Sequence, residues 1–133
     1  MNIQHSTKHQ VMFYDTDCGG VVHNLAYLRW VEECRTTMAT VLNIDYVELA
    51  KQQQFMVVVR HEVDYLSPAF LGDVLTCAGG VERVEKSSMW FQFEITRPAD
   101  GKTLVRVRQR LALVGMPKGR PCRIPEAWRE LVQ

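Results

Sequence analysis

Four strand-like segments follow one another between residues 55 and 114, and no helical segment separates them. Apolar residues recur at every second position over much of each segment, as in strands with one buried face. Consecutive strands of this kind pair as an antiparallel sheet, whose apolar face must be covered by another element. This order predicts an α+β protein. The predicted strands are Phe55–Leu66, Asp73–Glu85 with a bulge at Gly79 and Gly80, Ser88–Thr96, and Lys102–Val114.

One long helix precedes these strands and is expected to pack on the sheet. From Asn24 to about Leu42, apolar residues recur at steps of three and four, which places them on one helix face. Asn24 is predicted to be the N-cap, because its side chain suits that position. The remaining predicted elements are a first strand at Thr7–Tyr14, a shorter helix at Asp45–Gln53 and a last helical turn or two at Glu126–Val132.

Length, charge and hydropathy narrow the class of protein. The 133 residues are enough for one core, so residues 1–133 are predicted to form a single domain. A net charge of +1 argues against a nucleic-acid-binding protein, since such domains carry a pronounced basic excess. No segment has the apolar length of a membrane span, and the first ten residues lack the apolar core of a signal peptide. The protein is therefore expected to be cytoplasmic and not membrane-bound.

Two carboxylates, Asp15 and Asp17, stand beside a Gly-Gly pair just before the long helix. An Asp in such a place usually caps the helix or binds loop amides, but Asp17 lies too far before Asn24 to be its N-cap. A calcium loop is excluded, because Ala26 occupies the position that needs a bidentate Glu. A site formed by Asp15, Asp17 and His23 lacks a third strong ligand at a recognised spacing, so no metal is predicted.

A third interpretation of this loop is catalysis. A carboxylate on a Gly-rich turn can attack a carbonyl carbon, or deprotonate a water molecule that does so. The first amides of the following helix have no intrahelical partner and can stabilise an oxyanion. Together these groups are sufficient for acyl-transfer hydrolysis. A thioester is the best-fitting substrate, because its thiolate leaves without strong acid assistance and no Ser-His-Asp triad is needed.

The segment YDTDCGGVVHNLAYLRWVEECR resembles the signature of the hotdog-fold acyl-CoA thioesterases of the 4-hydroxybenzoyl-CoA thioesterase type. Two further segments, HEVDYLSPAFLGDVL and KGRPCRIP, resemble that family's second and third strands and the end of its final strand. The resemblance implies a hotdog fold, in which a five-stranded antiparallel sheet wraps a long central helix. It also implies hydrolysis of an aromatic or short- to medium-chain acyl-CoA, with CoA entering as part of the substrate and no separate cofactor.

The same resemblance assigns roles to individual residues. Asp17 falls on the family's catalytic carboxylate, as nucleophile or general base, and Asp15 is expected to order the loop. Asn24 matches the position whose backbone N–H polarises the thioester carbonyl, and Tyr27 matches an aromatic near the acyl pocket. His23 departs from the family pattern, because many relatives carry their His one position later. Its expected role is to orient Asp17, bind the acyl group or support the structure.

Substrate contacts outside the motif are also implied. Val59 is assigned to the lining of the acyl pocket, and Lys86, followed by Ser87, is assigned to the phosphates of CoA. Two other functions stay open. One is an acyl-thioester hydratase or dehydratase, which needs a His–Asp pair and for which His23 is the candidate. The other is a non-catalytic acyl- or CoA-binding module, because a fold does not determine function.

The chain is expected to bind a second copy of itself. Aromatic and aliphatic residues lie on both faces of the strand around Trp90, which predicts that a partner subunit covers part of the sheet. The active sites of the resembled family lie between two subunits. The resemblance therefore implies a homodimer at least, and a homotetramer is the expected assembly.

Overall fold

The long helix and the strands form in the predicted order. The computed structural model describes residues 1–132. Within them, no helix is long and apolar enough to cross a membrane. The elements are β1 (His5–Gln10), α1 (Asn24–Val41), α2 (Tyr46–Lys51), β2 (Gln54–Tyr65), β3 (Val74–Val84), β4 (Ser88–Arg97), β5 (Lys102–Gly115) and β6 (Arg120–Pro121), with short 3-10 helices at Phe13–Asp15 and Glu126–Leu131.

One antiparallel sheet contains all the strands. Its order is β1-β3-β4-β5-β2, and β6 adds two residues beside the end of β5. Helix α1 packs on one face, where apolar side chains of the helix and the sheet form the core. Removing such side chains from water is the main favourable contribution to folding, about 2 kcal/mol for each large one. The result is the α+β hotdog architecture, with a central helix wrapped by the sheet. The fully buried core residues include Val31, Cys34, Met38, Leu75, Phe93, Leu104 and Leu113.

The first strand ends earlier than the predicted range Thr7–Tyr14. Backbone pairing with the segment before β3 extends only as far as Val11, whose N–H donates to the Asp73 carbonyl oxygen at 2.8 Å. The next residues, Phe13–Asp15, form a 3-10 turn instead of strand. The Asp15 carboxylate stabilises this turn by accepting the Met12 N–H at 2.9 Å.

The bulge predicted at Gly79 and Gly80 is wrong. Both glycines pair regularly with β4, and the register of β3 shifts only after Val81. The glycines serve close packing instead. A Cβ on Gly79 would lie 2.4 Å from the Phe93 ring, and one on Gly80 would lie 2.0 Å from the carbonyl oxygen of Asn2.

The edge strand β2 does carry a bulge. Val58 pairs with Leu111 and Arg60 pairs with Arg110, so Val59 is the extra residue between them. Because of this extra residue, the side-chain alternation of the strand changes phase at Val59. One long edge of β2 is not paired with any described strand.

Trp90, on the outer face of the sheet, is covered by side chains of the same chain. Trp90 is only 7% exposed, because the Arg108 guanidinium lies 4.3 Å from the centre of its ring. Arg108 is held there by Glu62 at 2.7 Å and by Glu82 at 2.8 Å. These hydrogen bonds raise the pKa of Arg108 and, on the other side, lower the pKa of Glu62. Trp90 is therefore already covered by side chains of its own chain.

Candidate active site

The segment between β1 and α1 is a short hairpin that carries both acids. Thr16 forms an antiparallel bridge with Val22, and the Asp17 N–H donates to the Val21 carbonyl oxygen at 2.9 Å. Gly20 closes the turn with φ of 79°, in the left-handed region that favours glycine. The hairpin therefore places Asp17 and the start of α1 on one small, internally bonded unit.

Asp17 lies exposed on this hairpin. Its Oδ1 accepts the Gly19 N–H at 2.8 Å, and a Cβ on Gly19 would come within 3.3 Å of that oxygen. For Oδ2 the structure gives no partner within residues 1–132. The carboxylate is thus oriented through one oxygen while the other stays accessible, as a nucleophile or a general base requires.

Asp15 has the opposite environment and is 2% exposed. Besides accepting the Met12 N–H, its carboxylate forms an ion pair with Arg29 of α1. Its carbonyl oxygen accepts the His23 N–H at 2.7 Å. Asp15 therefore fixes the loop to the helix. Arg29 was not identified from the sequence, where the one available signal was a cation in the second turn of the helix that follows the two acids.

His23, and not Asn24, is the N-cap of α1. Its Nδ1 accepts the Leu25 N–H at 3.1 Å, and its carbonyl oxygen accepts the Ala26 N–H at 2.9 Å. The prediction failed because an imidazole nitrogen here replaces the side-chain oxygen that usually caps helices. Asn24 is the first helical residue, and no acceptor for its N–H is found in the described part of the chain.

A cleft of about 270 Å³ opens beside the start of α1. Tyr27 is buried at its base, and its hydroxyl accepts the Ala69 N–H at 3.0 Å. Burial raises the pKa of this hydroxyl, which keeps it protonated. Tyr65 was missed as a site residue, although it is an aromatic directly before the Leu-Ser-Pro turn. Its hydroxyl donates to the Asn24 carbonyl oxygen at 3.1 Å. The cleft is lined by Val22, Asn24, Tyr27, Tyr65, Leu66, Ser67 and Pro68.

Lys86 and Ser87 do not join this site within one chain. They form the turn after β3, whereas the hairpin is bonded to Ala69 and Phe70, a few residues before β3. At about 3.3 Å per residue, the two ends of this strand are roughly 30 Å apart. Val59 is also remote, because it precedes Tyr65 by six residues in β2. One chain therefore brings together only the residues of the motif, namely Asp17, His23, Asn24 and Tyr27.

The chemistry available at the hairpin is that of acyl transfer. An oriented carboxylate, an amide without an acceptor and an apolar cleft lie on neighbouring segments. The carboxylate can attack or activate water, and the amide can stabilise the negative charge that develops on a carbonyl oxygen. Among the described residues, no group of three His, Cys, Asp or Glu side chains could hold a metal ion.

Comparison with known sequences agrees with this chemistry. Residues 11–132 match the family model described as the thioesterase-like superfamily. A protein of Haemophilus influenzae named acyl-CoA thioesterase YbgC is 30% identical over 118 residues, which are 88% of this chain and 85% of that protein. A protein of Prochlorococcus marinus named 1,4-dihydroxy-2-naphthoyl-CoA hydrolase is 24% identical over 98 residues, which are 68% of this chain and 63% of that protein.

Solved structures share the whole fold. A 1,4-dihydroxy-2-naphthoyl-CoA thioesterase from Synechocystis superposes with a TM-score of 0.86 at 19% identity, over 96% of this chain and 94% of that one. A probable thioesterase from Bartonella henselae superposes with a TM-score of 0.83 at 25% identity, over 93% of this chain and 100% of that one. The resemblance inferred from the motif is confirmed, and the chain belongs to the thioesterase-like superfamily.

Proposed function

We propose that the protein hydrolyses an acyl-CoA thioester to the free acid and CoA, and that the β1–α1 hairpin is its catalytic centre. One observation carries the proposal: Asp17 has one oxygen held by the Gly19 N–H and one accessible, on the same hairpin that leads to the free amide of Asn24. Family membership supports the class of reaction, and the names of the relatives support acyl-CoA as the substrate.

The Asn24 N–H polarises the thioester carbonyl in both forms of the mechanism. If Asp17 is the nucleophile, its Oδ2 attacks the carbonyl carbon, and the resulting oxyanion accepts a hydrogen bond from that amide. The CoA thiolate then leaves, and water hydrolyses the acyl–Asp17 anhydride to release the acid. If Asp17 is a general base, it takes a proton from the water that attacks the same carbon. In both cases the thiolate is expelled without a dedicated acid.

The acyl group is proposed to occupy the cleft between Tyr27 and Tyr65. Its apolar and aromatic lining suits an aromatic or a short- to medium-chain acyl group. Two of the related proteins are named for the 1,4-dihydroxy-2-naphthoyl group, which is aromatic. A panel of acyl-CoAs of both kinds decides between them.

The assembly is proposed to be a homodimer at least, with a homotetramer as the expected form. The free edge of β2 supports this, because its exposed valines and its unpaired backbone can take up another strand. A site shared between subunits also accounts for the distance of Lys86, Ser87 and Val59 from Asp17 within one chain. These three residues are proposed to contact the CoA and acyl groups bound at the partner's hairpin.

The hydratase alternative is disfavoured by the contacts of His23. A hydratase needs an imidazole nitrogen that accepts a proton next to the carbonyl. Nδ1 of His23 already accepts the Leu25 N–H, so Nε2 carries the proton in the neutral ring and has no lone pair to offer.

Thiol release from a panel of acyl-CoAs tests the proposal. We expect Asp17→Asn and Asp17→Ala to lower kcat by at least about 100-fold, as for the loss of a nucleophile or base. Asp45→Asn is the matched control, because Asp45 is also exposed and caps α2. Full activity in both Asp17 variants would contradict the mechanism. Binding without turnover by the wild type would indicate an acyl-CoA-binding module.

Hydrolysis over repeated turnovers in oxygen-18 water, together with rapid quenching to trap an acyl-enzyme, separates the two roles of Asp17. A nucleophilic carboxylate forms an anhydride, which rapid quenching traps as an acyl adduct of Asp17, and the label enters Asp17 when water attacks the Asp17 carboxyl carbon of that anhydride. A general base leaves Asp17 unlabelled, and the label enters only the acid that is released. Mass spectrometry of the peptide that contains Asp17 gives the answer.

A further inference from the structure

Within residues 1–132, the first turn of α1 has one amide without an acceptor, where a helix start has several amides that lack an intrahelical partner. The Leu25 N–H is occupied by Nδ1 of His23, and the Ala26 N–H is occupied by the His23 carbonyl oxygen. Of the first three helical amides, only that of Asn24 is left without an acceptor in the described residues. One residue, His23, thus determines which amide the helix presents.

His23 is itself fixed by the loop that carries Asp17. Its N–H donates to the Asp15 carbonyl oxygen at 2.7 Å. The Asp15 side chain is anchored in turn by the Met12 N–H and by Arg29 of α1. The imidazole therefore connects two rigid parts, the acid-bearing hairpin on one side and the first helical turn on the other.

We propose that His23 is a positioning residue for the thioesterase reaction. By capping α1 through Nδ1 it removes the competing Leu25 amide and directs the Asn24 N–H toward the thioester oxygen. The inference rests on the proposed function and deepens it, because it explains how one amide is selected. His23 does not itself exchange a proton with the substrate in this role.

Replacement of the imidazole tests the proposal through kinetics. His23→Ala removes the acceptor, so we expect kcat to fall about 10-fold while KM changes less than about 2-fold, because a misplaced oxyanion donor affects the transition state most. His23→Asn supplies a side-chain oxygen that caps helices well, and we expect it to restore most of kcat. A wild-type kcat in His23→Ala, or no recovery in His23→Asn, overturns the inference.

Asp45→Ala is the control for a purely structural effect. Asp45 caps α2 by accepting the N–H groups of Val47 and Glu48 at 3.0 and 3.1 Å. Its replacement also removes an N-cap, but away from the hairpin. We expect a lowered melting temperature and an unchanged kcat. An equal loss of kcat in Asp45→Ala would show that lower stability explains the effect of His23→Ala, which contradicts a positioning role.

Amide hydrogen exchange tests the cap without any substrate. The Leu25 N–H is expected to exchange slowly in the wild type and in His23→Asn, and fast in His23→Ala. Equal exchange in all three overturns the inference, whatever the enzyme activity. The two proposals can fail separately. Full activity of the Asp17 variants would refute the proposed function, and it would leave the Leu25 exchange pattern unchanged. If the Leu25 N–H is protected in the wild type but the kcat of His23→Ala equals that of the wild type, the positioning role is refuted while the proposed function stands.

Discussion

Asp15 supports the site from inside the protein. Its side chain is buried, and it satisfies a backbone N–H, the Arg29 guanidinium and, through its carbonyl oxygen, the N–H of the cap residue. A buried polar group is costly when its partner is removed, because the remaining group loses its hydrogen bond without regaining water. The neighbouring Asp17 is exposed, and its carboxylate accepts only the nearby Gly19 N–H, so the two acids are expected to contribute differently to stability.

We expect Asp15→Ala to lower the free energy of unfolding by about 1–3 kcal/mol, the cost of leaving buried partners unsatisfied. Asp17→Ala is the comparison and should cost less than about 1 kcal/mol, since surface substitutions usually have small effects. Urea denaturation followed by circular dichroism measures both. Equal losses in the two variants would contradict the assignment of the structural role to Asp15.

Protonation of His9 is expected to make the free energy of unfolding depend on pH. It stacks on Trp30 with ring centres 5.7 Å apart and shares a hydrogen bond with the Thr7 hydroxyl at 2.7 Å. Burial lowers the pKa of His9 from its ordinary value of 6.5, although the nearby Glu33 and Asp15 act in the opposite direction. The unfolded chain therefore binds this proton more strongly than the folded one. Stability that is present above about pH 6.5 is lost as the pH falls through that value.

We expect the free energy of unfolding of the wild type to decrease between about pH 7.5 and pH 5.5, and to decrease less in His9→Gln. His5→Gln is the matched control, because His5 is also on β1 and hydrogen-bonded, to Thr37 at 2.8 Å. Urea midpoints at several pH values provide the measurement. The same pH slope in His9→Gln as in the wild type would refute the contribution of His9.

At the scale of elements, the glycine pair in β3 sets how closely the sheet packs. Any side chain at Gly79 would collide with the Phe93 ring of the neighbouring strand, whereas one at Gly80 would meet the backbone of Asn2, near the end of the chain. Strand β4, which carries Phe93, lies between β3 and β5 and cannot move without breaking its backbone hydrogen bonds to both. A terminal segment can shift at smaller cost.

Gly79→Ala is therefore expected to destabilise the protein by roughly 1–3 kcal/mol, the usual cost of overpacking a core. Gly80→Ala should cost less, because the residues before β1 can move aside. Thermal or urea unfolding of the two variants side by side checks this order. A larger loss in Gly80→Ala would show that the N-terminal segment is the more rigid neighbour.

At the scale of the whole molecule, the succession of elements along the chain and the length of α1 could be predicted from residue patterns, because periodicity reports directly on burial. The candidate site came instead from the resemblance of its motif. Local details were harder to predict. The cap at His23 depends on an imidazole acceptor that propensities rank below Asn, and the end of β1 depends on the hydrogen bond from the Met12 N–H to the Asp15 carboxylate. Arg29 and Tyr65 became site residues only through contacts between segments far apart in sequence.

Mixing of inactive subunits tests whether the site is shared. We expect Lys86→Glu to weaken acyl-CoA binding and Asp17→Asn to abolish turnover. In a mixed dimer, one site combines an intact Asp17 from one chain with an intact Lys86 from the other. Co-refolding of the two variants should therefore recover part of the activity.

Lys51→Glu, on the exposed surface of α2, is the control for this experiment and should leave acyl-CoA binding unchanged. Activity equal to the mean of the separate variants would contradict a site shared between subunits. Light scattering of the wild type gives the number of chains independently.

The extra residue at Val59 has a consequence for the behaviour of the chain at high concentration. A long, flat, valine-rich edge is a template on which further chains can add without limit, as they do in fibrils. The bulge bends and twists β2 in its middle, so the edge is not straight over its full length. Continuous stacking of identical strands is thereby opposed, while a single partner with the same twist can still pair. The irregularity of this strand is therefore expected to lower the tendency of the protein to aggregate.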